Sequence, residues 1–325
     1  MSKDNNNSDK KHKYRGKGKV NRRDSLFSIY LYNIRGYKNK AYSLKKILKK
    51  VKPSIALINE TQLVGNMKVS LDPAYSSWTR NRKEKGGGGI ATAVSRQYSD
   101  TAVGAGEGYK DKEYLIVRIE AFSPALNIVN SYGEQRKTKK EDVKEKWETL
   151  KKKLEEMRMR GEFVVYGGDL NKLVGQDQFG VPGNNKEISL GGKLLRELLA
   201  SGNWVLVNGL GREIVEGGPF TRVDPASGNM SCLDLFIVSK ELLPYVDKLV
   251  IDKERKIIPT RAVKEKKKYK LIYTDHYSCL LSFKDLTKRK EKVKDKKKQY
   301  GTLLKKMDGM ITKGFVMNLV TNWKK

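Results

Sequence analysis

Histidine is almost missing from this 325-residue sequence, with only His12 and His276. A zinc centre built on several imidazoles is therefore excluded. Cysteine is equally sparse. Cys232 and Cys279 sit in apolar, strand-like runs with no metal-ligand spacing around them, so they are expected to be buried thiols in a reducing compartment. No apolar run approaches the roughly 18 residues of a membrane span, and the first residues, MSKDNNNSDKKHKYRGKGKVNRR, lack the apolar segment of a secretory signal. The expectation is an intracellular, soluble protein that does not engage a membrane.

Negative charge is also in short supply. The chain has 68 Lys and Arg against 37 Asp and Glu, a formal charge of +31. Residues 1–24 hold 9 basic and 3 acidic side chains and residues 285–325 hold 13 and 4, which leaves 46 against 30, or +16, in the body. A polyanion is thus the expected partner of the body as well as of its ends, nucleic acid before acidic lipid headgroups.

What is present is a succession of short apolar runs bounded by turn residues: LFSIYLYN, SIALINET, GGIATAVS, EYLIVRIEAF, ALNIVNSY, FVVYGG, NWVLVNG, CLDLFIVS and YSCLLSF. Several are too apolar to have a wet face, which predicts strands in sheets covered on both sides. Three helical stripes lie between them. Leu44, Ile47, Leu48 and Val51 precede Pro53; Val143, Trp147, Leu150, Leu154 and Met157 precede Gly161; Leu194, Leu195, Leu198 and Leu199 precede Gly202.

The pattern predicts an α/β (α+β) chain of two packed sheets with helices outside them, one domain over residues 25–284. Residues 1–24 are expected to be a disordered basic arm, either a solvated tail or an import or nucleic-acid arm. Residues 285–325 form a Lys-rich tail with some helical character, either a linker or a natural end. The charged run 253–270 is expected to be a loop.

Polar residues recur where apolar runs begin or end. Asn33 closes IYLYN, Asn59 and Glu60 close ALINE, Asn130 and Tyr132 close IVNSY, and Asp169 and Asn171 follow VVYGG; Asp234 lies within SCLDLFIVS, and Asp275 and His276 open TDHYSCLL. Taken singly, Asn33 reads as a strand-end cap, Glu60 as an exposed charge, Tyr132 as a core or turn residue and Asp234 as a satisfied buried acid. If the strands lie side by side, however, these ends meet at one rim. Clustered carboxylates and amides suit a hard divalent cation such as Mg²⁺ or Mn²⁺. One histidine beside aspartates suits a hydrogen bond to a phosphate oxygen.

The ordered set YN.RG, NET, NSYGEQ, GGDLN, SCLDLFIVS and TDH resembles the endonuclease/exonuclease/phosphatase superfamily over residues 26–284. Within it, NSYGEQRKTK, GGDLNKLVGQDQFGVPGNN and GPFTRVDPASG look most like the AP-endonuclease-like domain of non-LTR retrotransposons. The resemblance implies a DNase I-like four-layer sandwich of two mixed β-sheets. It also implies metal-dependent nicking of DNA that leaves a 3′-OH for target-primed reverse transcription, with action in the nucleus.

By the same resemblance, Glu60, Asn33 and Asp275 would bind the metal. Asp169 would handle the proton of the attacking water or the leaving oxygen, Asn171 would hold the scissile phosphate, and His276, fixed by Asp234, would contact a phosphate oxygen. Tyr132 would add a phosphate or leaving-group contact. Arg35, Arg80, Arg82, Lys83, Lys264, Lys266, Lys267 and Lys268 are the candidate DNA contacts, with solvated lysine-rich loops as the alternative. RNA could meet the basic tails, and a reverse transcriptase is the expected partner.

The sequence departs from the family pattern at Arg35, where many relatives have Asn or Asp, at YGEQ, and at Thr274. Other functions compatible with the same residues are an abasic-site repair endonuclease, an inositol-phosphate or lipid phosphatase, and a catalytically silent nucleic-acid binder.

Overall fold

Strand β1 (Phe27–Asn33) shows why the apolar runs are continuous. Phe27, Ile29 and Leu31 enter one hydrophobic cluster while Tyr30 and Tyr32 enter another, so both faces of the strand are covered. In this computed structural model the described residues are 26–82, 87–105, 114–134, 138–181, 186–265 and 268–286. The arm over residues 1–24, the tail beyond residue 286, and Lys83, Lys266 and Lys267 lie outside them.

The other strands, in chain order, are β2 (Ile55–Asn59), β3 (Tyr75–Arg80), β4 (Ile90–Ser95), β5 (Ala102–Ala105), β6 (Tyr114–Ile119), β7 (Leu126–Tyr132), β8 (Phe163–Asp169) and β9 (Trp204–Leu206). They continue with β10 (Val215–Glu216), β11 (Arg222–Val223), β12 (Met230–Ser231), β13 (Asp234–Ser239), β14 (Val246–Ile251), β15 (Arg261–Glu265), β16 (Lys268–Ile272) and β17 (Cys279–Phe283). A seven-stranded sheet runs β10-β14-β17-β1-β2-β4-β3, and a six-stranded sheet runs β5-β6-β7-β8-β13-β9. Both are mixed: β1 and β2 pair in parallel, as do β7 and β8, among antiparallel neighbours.

The inner faces of the two sheets share one core that includes Leu31, Leu57, Val117, Ile128, Val165, Phe236 and Leu281. Cys232 and Cys279 are both buried and unpaired, as expected.

Helices close the outer faces. Helix α1 (Ala41–Val51) turns Leu44 and Leu48 onto the first sheet and stops at Lys52, in the left-handed region just before Pro53. After the short α2 (Arg96–Ser99), α3 (Lys140–Met159) buries Val143, Trp147, Leu150, Leu154 and Met157 against the second sheet. Ser189 caps α4 (Leu190–Ala200) by accepting a hydrogen bond from the Gly192 N–H, and its leucines complete that layer. The result is the expected four-layer sandwich.

The structure corrects one expectation and adds to another. The charged run 253–270 is not simply a loop: β15 and β16 pair antiparallel from Arg261–Ile272 to Glu265–Lys268. Their lysine-rich sequence hides the hairpin, because backbone pairing carries no apolar signature. Strands β3 and β14 also lie outside the runs picked from the sequence. Each residue of β3 is half-buried, and β14 (VDKLVI) is interrupted by the charged pair Asp247 and Lys248.

Two glycines allow the β7 and β8 ends to meet. Gly168 has φ +145°, and a Cβ there would sit 1.8 Å from the Ser131 carbonyl oxygen; a Cβ on Gly133 would sit 1.7 Å from that of Leu170. Neither backbone can yield without separating the strand ends. Gly168→Ala is therefore expected to destabilise the fold by more than about 2 kcal/mol, seen as a lower denaturant midpoint at unchanged slope. A midpoint equal to that of wild type would contradict this packing.

Candidate active site

The strand registers bring the polar ends together. Asn33 lies opposite Asn59 in the parallel β1–β2 pair, and Tyr132 lies opposite Asp169 in the β7–β8 pair. Asp234, which opens β13, lies opposite Asp169. Strand β17 runs antiparallel to β1 with Cys279 opposite Leu31, so the preceding Asp275 and His276 fall at the same rim. A cleft of about 1010 Å³ is lined there by Asn33, Glu60, Tyr132, Asp169, Asn171, Asp275 and His276, among others.

Hydrogen bonds fix these groups across the two sheets. Asn33 Nδ2 donates to Asp169 Oδ2 at 2.8 Å. The buried Asn59 side chain donates to Asn130 Oδ1 and to the Ser131 carbonyl, each at 3.0 Å, and accepts from the Asp169 N–H at 3.0 Å. Tyr132 Oη donates to Glu60 Oε1 at 2.7 Å. Asn171 has its N–H on Asp169 Oδ1 at 3.3 Å and its Nδ2 on the Gly133 carbonyl at 3.2 Å. Glu60 and Asn171 both have positive φ, 51° and 49°, a conformation uncommon in non-glycine residues and found preferentially at functional sites.

His276 Nδ1 is 2.7 Å from Asp234 Oδ2, and its Nε2 is 3.8 Å from Asp169 Oδ2. Ligand atoms of these three residues lie within 4.8 Å of one another. The 2.7 Å contact is nevertheless a hydrogen bond. Tetrahedral ligands about 2 Å from one ion stand roughly 3.3 Å apart. The trio is thus suited to holding protons, whereas Glu60 and the amide oxygen of Asn33 supply the hard oxygen donors that fit a divalent cation.

The electrostatics agree. Burial, aided by the Asp234 and Glu60 charges and opposed by His276 and Asn33, pushes the Asp169 carboxyl up to about 7. Burial pulls the His276 imidazole down, but Asp234, Asp169 and Asp275 more than offset it and raise it to about 9. The buried cluster can therefore take up or release a proton near neutrality while presenting a cationic imidazole.

No protein-family model matches this sequence, and no curated protein does. Solved structures do match by shape. An AP endonuclease from Leishmania major aligns with a TM-score of 0.60 at 15% identity, over 80% of this chain and 88% of that one. An AP endonuclease from Archaeoglobus fulgidus gives 0.57 at 17%, over 79% and 99%. The endonuclease domain of TRAS1, a telomere-specific non-LTR retrotransposon, gives 0.54 at 15%, over 81% and 100%. The chain has the AP-endonuclease fold.

In this AP-endonuclease fold the basic candidates are dispersed. Arg35 lines the cleft at the polar rim, but Arg80 lines a separate cleft of about 600 Å³ with Trp78 and Lys68. Arg82 forms an isolated bridge with Val64. Lys264 is exposed on β15 and Lys268 opens β16, the hairpin that leads directly into Asp275 and His276.

Three residues outside the sequence-derived set support the site. Arg222 Nε donates to Asp275 Oδ2 at 2.8 Å. Thr221 Oγ1 accepts from the Leu233 and Asp234 N–H groups at 3.0 Å each. Arg255 donates to the Thr274 carbonyl at 2.6 Å, with its guanidinium 4.3 Å and 4.7 Å from the Tyr273 and Tyr277 ring centroids. None stands at the end of an apolar run: Thr221 and Arg222 lie within the phrase GPFTRVDPASG and Arg255 within the charged run 253–270, neither of which marks an individual residue.

Asn59→Ala would leave the Asp169 N–H, Asn130 Oδ1 and the Ser131 carbonyl without this partner. A loss of at least about 2 kcal/mol is expected, measured by denaturant unfolding, and stability within about 0.5 kcal/mol of wild type would contradict the bridging role.

Proposed function

We propose that this chain is a divalent-metal-dependent endonuclease that nicks DNA phosphodiesters. The observation that carries the reading is the joining of Asn33, Glu60 and His276, at strand ends of one sheet, to Asp169 of the other in a single cleft, with Asp234 buried behind His276. Its support is the AP-endonuclease fold, the net positive body and the proton-holding trio beside a hard-oxygen rim. A DNA-bound structure of similar shape, the 3′ phosphatase NExo from Neisseria with a product DNA hairpin, has a TM-score of 0.57 at 15% identity over 79% of this chain and 99% of that one.

Each side chain then has a task. Glu60 and Asn33 would hold Mg²⁺ or Mn²⁺, which when bound polarises the phosphate and takes up leaving-group charge. Tyr132, through its bond to Glu60, fixes that carboxylate; in this geometry it acts on the ligand and only through it on the phosphate. Asp169 takes the proton of the attacking water or returns one to the departing 3′ oxygen, a role that suits a carboxyl pushed up to about 7. His276 directs Nε2–H at a non-bridging oxygen while Asp234 holds Nδ1, and Asn171 adds an amide donor.

The retroelement role, which leaves a 3′-OH for target-primed reverse transcription, rests on the sequence phrases and on the shape shared with the TRAS1 endonuclease domain. It brings with it action in the nucleus and a reverse transcriptase partner. RNA contact is assigned to the basic tails, outside the described residues.

Supercoiled plasmid incubated with Mg²⁺ or Mn²⁺ is expected to be nicked, the chelated control to stay intact, and the nicks to carry 3′ ends that a polymerase extends. Asp169→Ala and His276→Ala are each expected to slow nicking by at least about 100-fold while DNA affinity is retained. Nicking at the wild-type rate by either variant, or none by wild type, would contradict the assignment. Faster cleavage of abasic than intact duplex would redirect it to repair, and phosphate release from an inositol polyphosphate without nicking would redirect it to a phosphatase.

A further inference from the structure

Asp275 is placed with the metal ligands by resemblance, yet its carboxylate is occupied on both sides. Oδ1 faces Arg35 Nη1 at 3.3 Å, and Oδ2 accepts from Arg222 Nε at 2.8 Å. The carboxylate is thus held between two guanidiniums, one at each oxygen.

The two arginines are not equivalent. Arg222 is the more buried and is also bound to Asp224 Oδ2 at 3.3 Å, while Asp224 Oδ1 accepts from the Ala226 and Ser227 N–H groups. Its charge is therefore matched within the wall of the cleft. Arg35 is 59% exposed at its side chain, and its guanidinium makes a single contact among the described residues, through Nη1.

The backbone beneath Arg35 is built to aim it. Its φ is +43°, a backbone conformation uncommon for any residue that carries a Cβ. Two bonds hold it there: the Arg35 N–H donates to Asn33 Oδ1 at 3.1 Å, and its carbonyl accepts from the buried Lys40 Nζ at 3.0 Å. Lys40 also donates to the Ile34 carbonyl at 2.8 Å, pinning both peptide groups of the turn. The turn starts at Asn33, so the guanidinium is registered against the same residue that bonds Asp169.

We propose that Arg35 is a dedicated phosphate-binding side chain anchored by Asp275, and that Asp275, committed to Arg35 and Arg222, is not a metal ligand. The inference rests on the nuclease reading for its ligand, a backbone phosphate of DNA lying in the cleft. It leaves Glu60 as the sole carboxylate of the cation site, with Asn33. A guanidinium presents several N–H donors in a fixed plane, so Arg35 can keep Asp275 on one edge and offer another to a phosphate oxygen.

Two measurements that do not depend on turnover test this. Mn²⁺ binding to the full chain without DNA, read by electron paramagnetic resonance, is expected to change less than about twofold in Asp275→Asn and Arg35→Ala and to be lost in Glu60→Gln. DNA binding in chelator is expected to weaken about 10- to 100-fold in Arg35→Ala. The slope of log K against log salt should fall by about 0.9, and Arg35→Lys should restore the slope.

An Asp275→Asn variant that loses Mn²⁺ as Glu60→Gln does would overturn the proposal. So would an unchanged salt slope in Arg35→Ala. If these results hold but wild type fails to nick plasmid, the arginine site stands and the nuclease assignment falls.

Discussion

The hydrogen bond from Asn33 to Asp169 joins the last residue of a strand in one sheet to the last residue of a strand in the other. The site depends on that junction. Each sheet is covered on its outer face by helices and on its inner face by its partner, so charged side chains gather where strands begin and end. Asn59 reinforces the junction from beneath, tying β2 to both β7 and β8. Burying these amides without partners would cost free energy; paired, they set the distance between the sheets at the rim where chemistry is proposed.

That rim concentrates acids in a body of opposite overall sign. Asp169, Asp234 and His276 are all buried, and their environments push the carboxyl of Asp169 and the imidazole of His276 upward together. In the proposed nuclease a basic surface would draw in a polyanion, and an acidic pocket beneath it would hold a cation and protons; the two needs would be met by different residues. Arg35, Arg222 and Asp275 stand at the border between them, where guanidiniums neutralise an acid that would otherwise add to the repulsion.

Much of this was legible in the sequence because of the double covering. Runs such as IYLY and DLFIVS are apolar on both faces, and helices α1, α3 and α4 show their stripes directly. The strand-end residues were visible for the same reason, since a carboxylate after VVYGG has no place in a core. Residues whose roles arise from long-range contact were not visible. Arg222 bonds Asp275 across 53 positions, and Thr221 bonds the Asp234 N–H across 13. Hairpin β15–β16 was hidden by its lysines, and the half-buried β3 by the lack of a fully apolar face.

The central claim is that one cation site forms on Glu60 and Asn33, at adjacent strand ends of one sheet, next to but distinct from the proton-holding trio. Anomalous diffraction from a crystal soaked in Mn²⁺ addresses it directly. The account expects a single peak in the cleft about 2 Å from a Glu60 carboxylate oxygen. A peak seated among Asp169, Asp234 and His276, or none in the cleft, would contradict it.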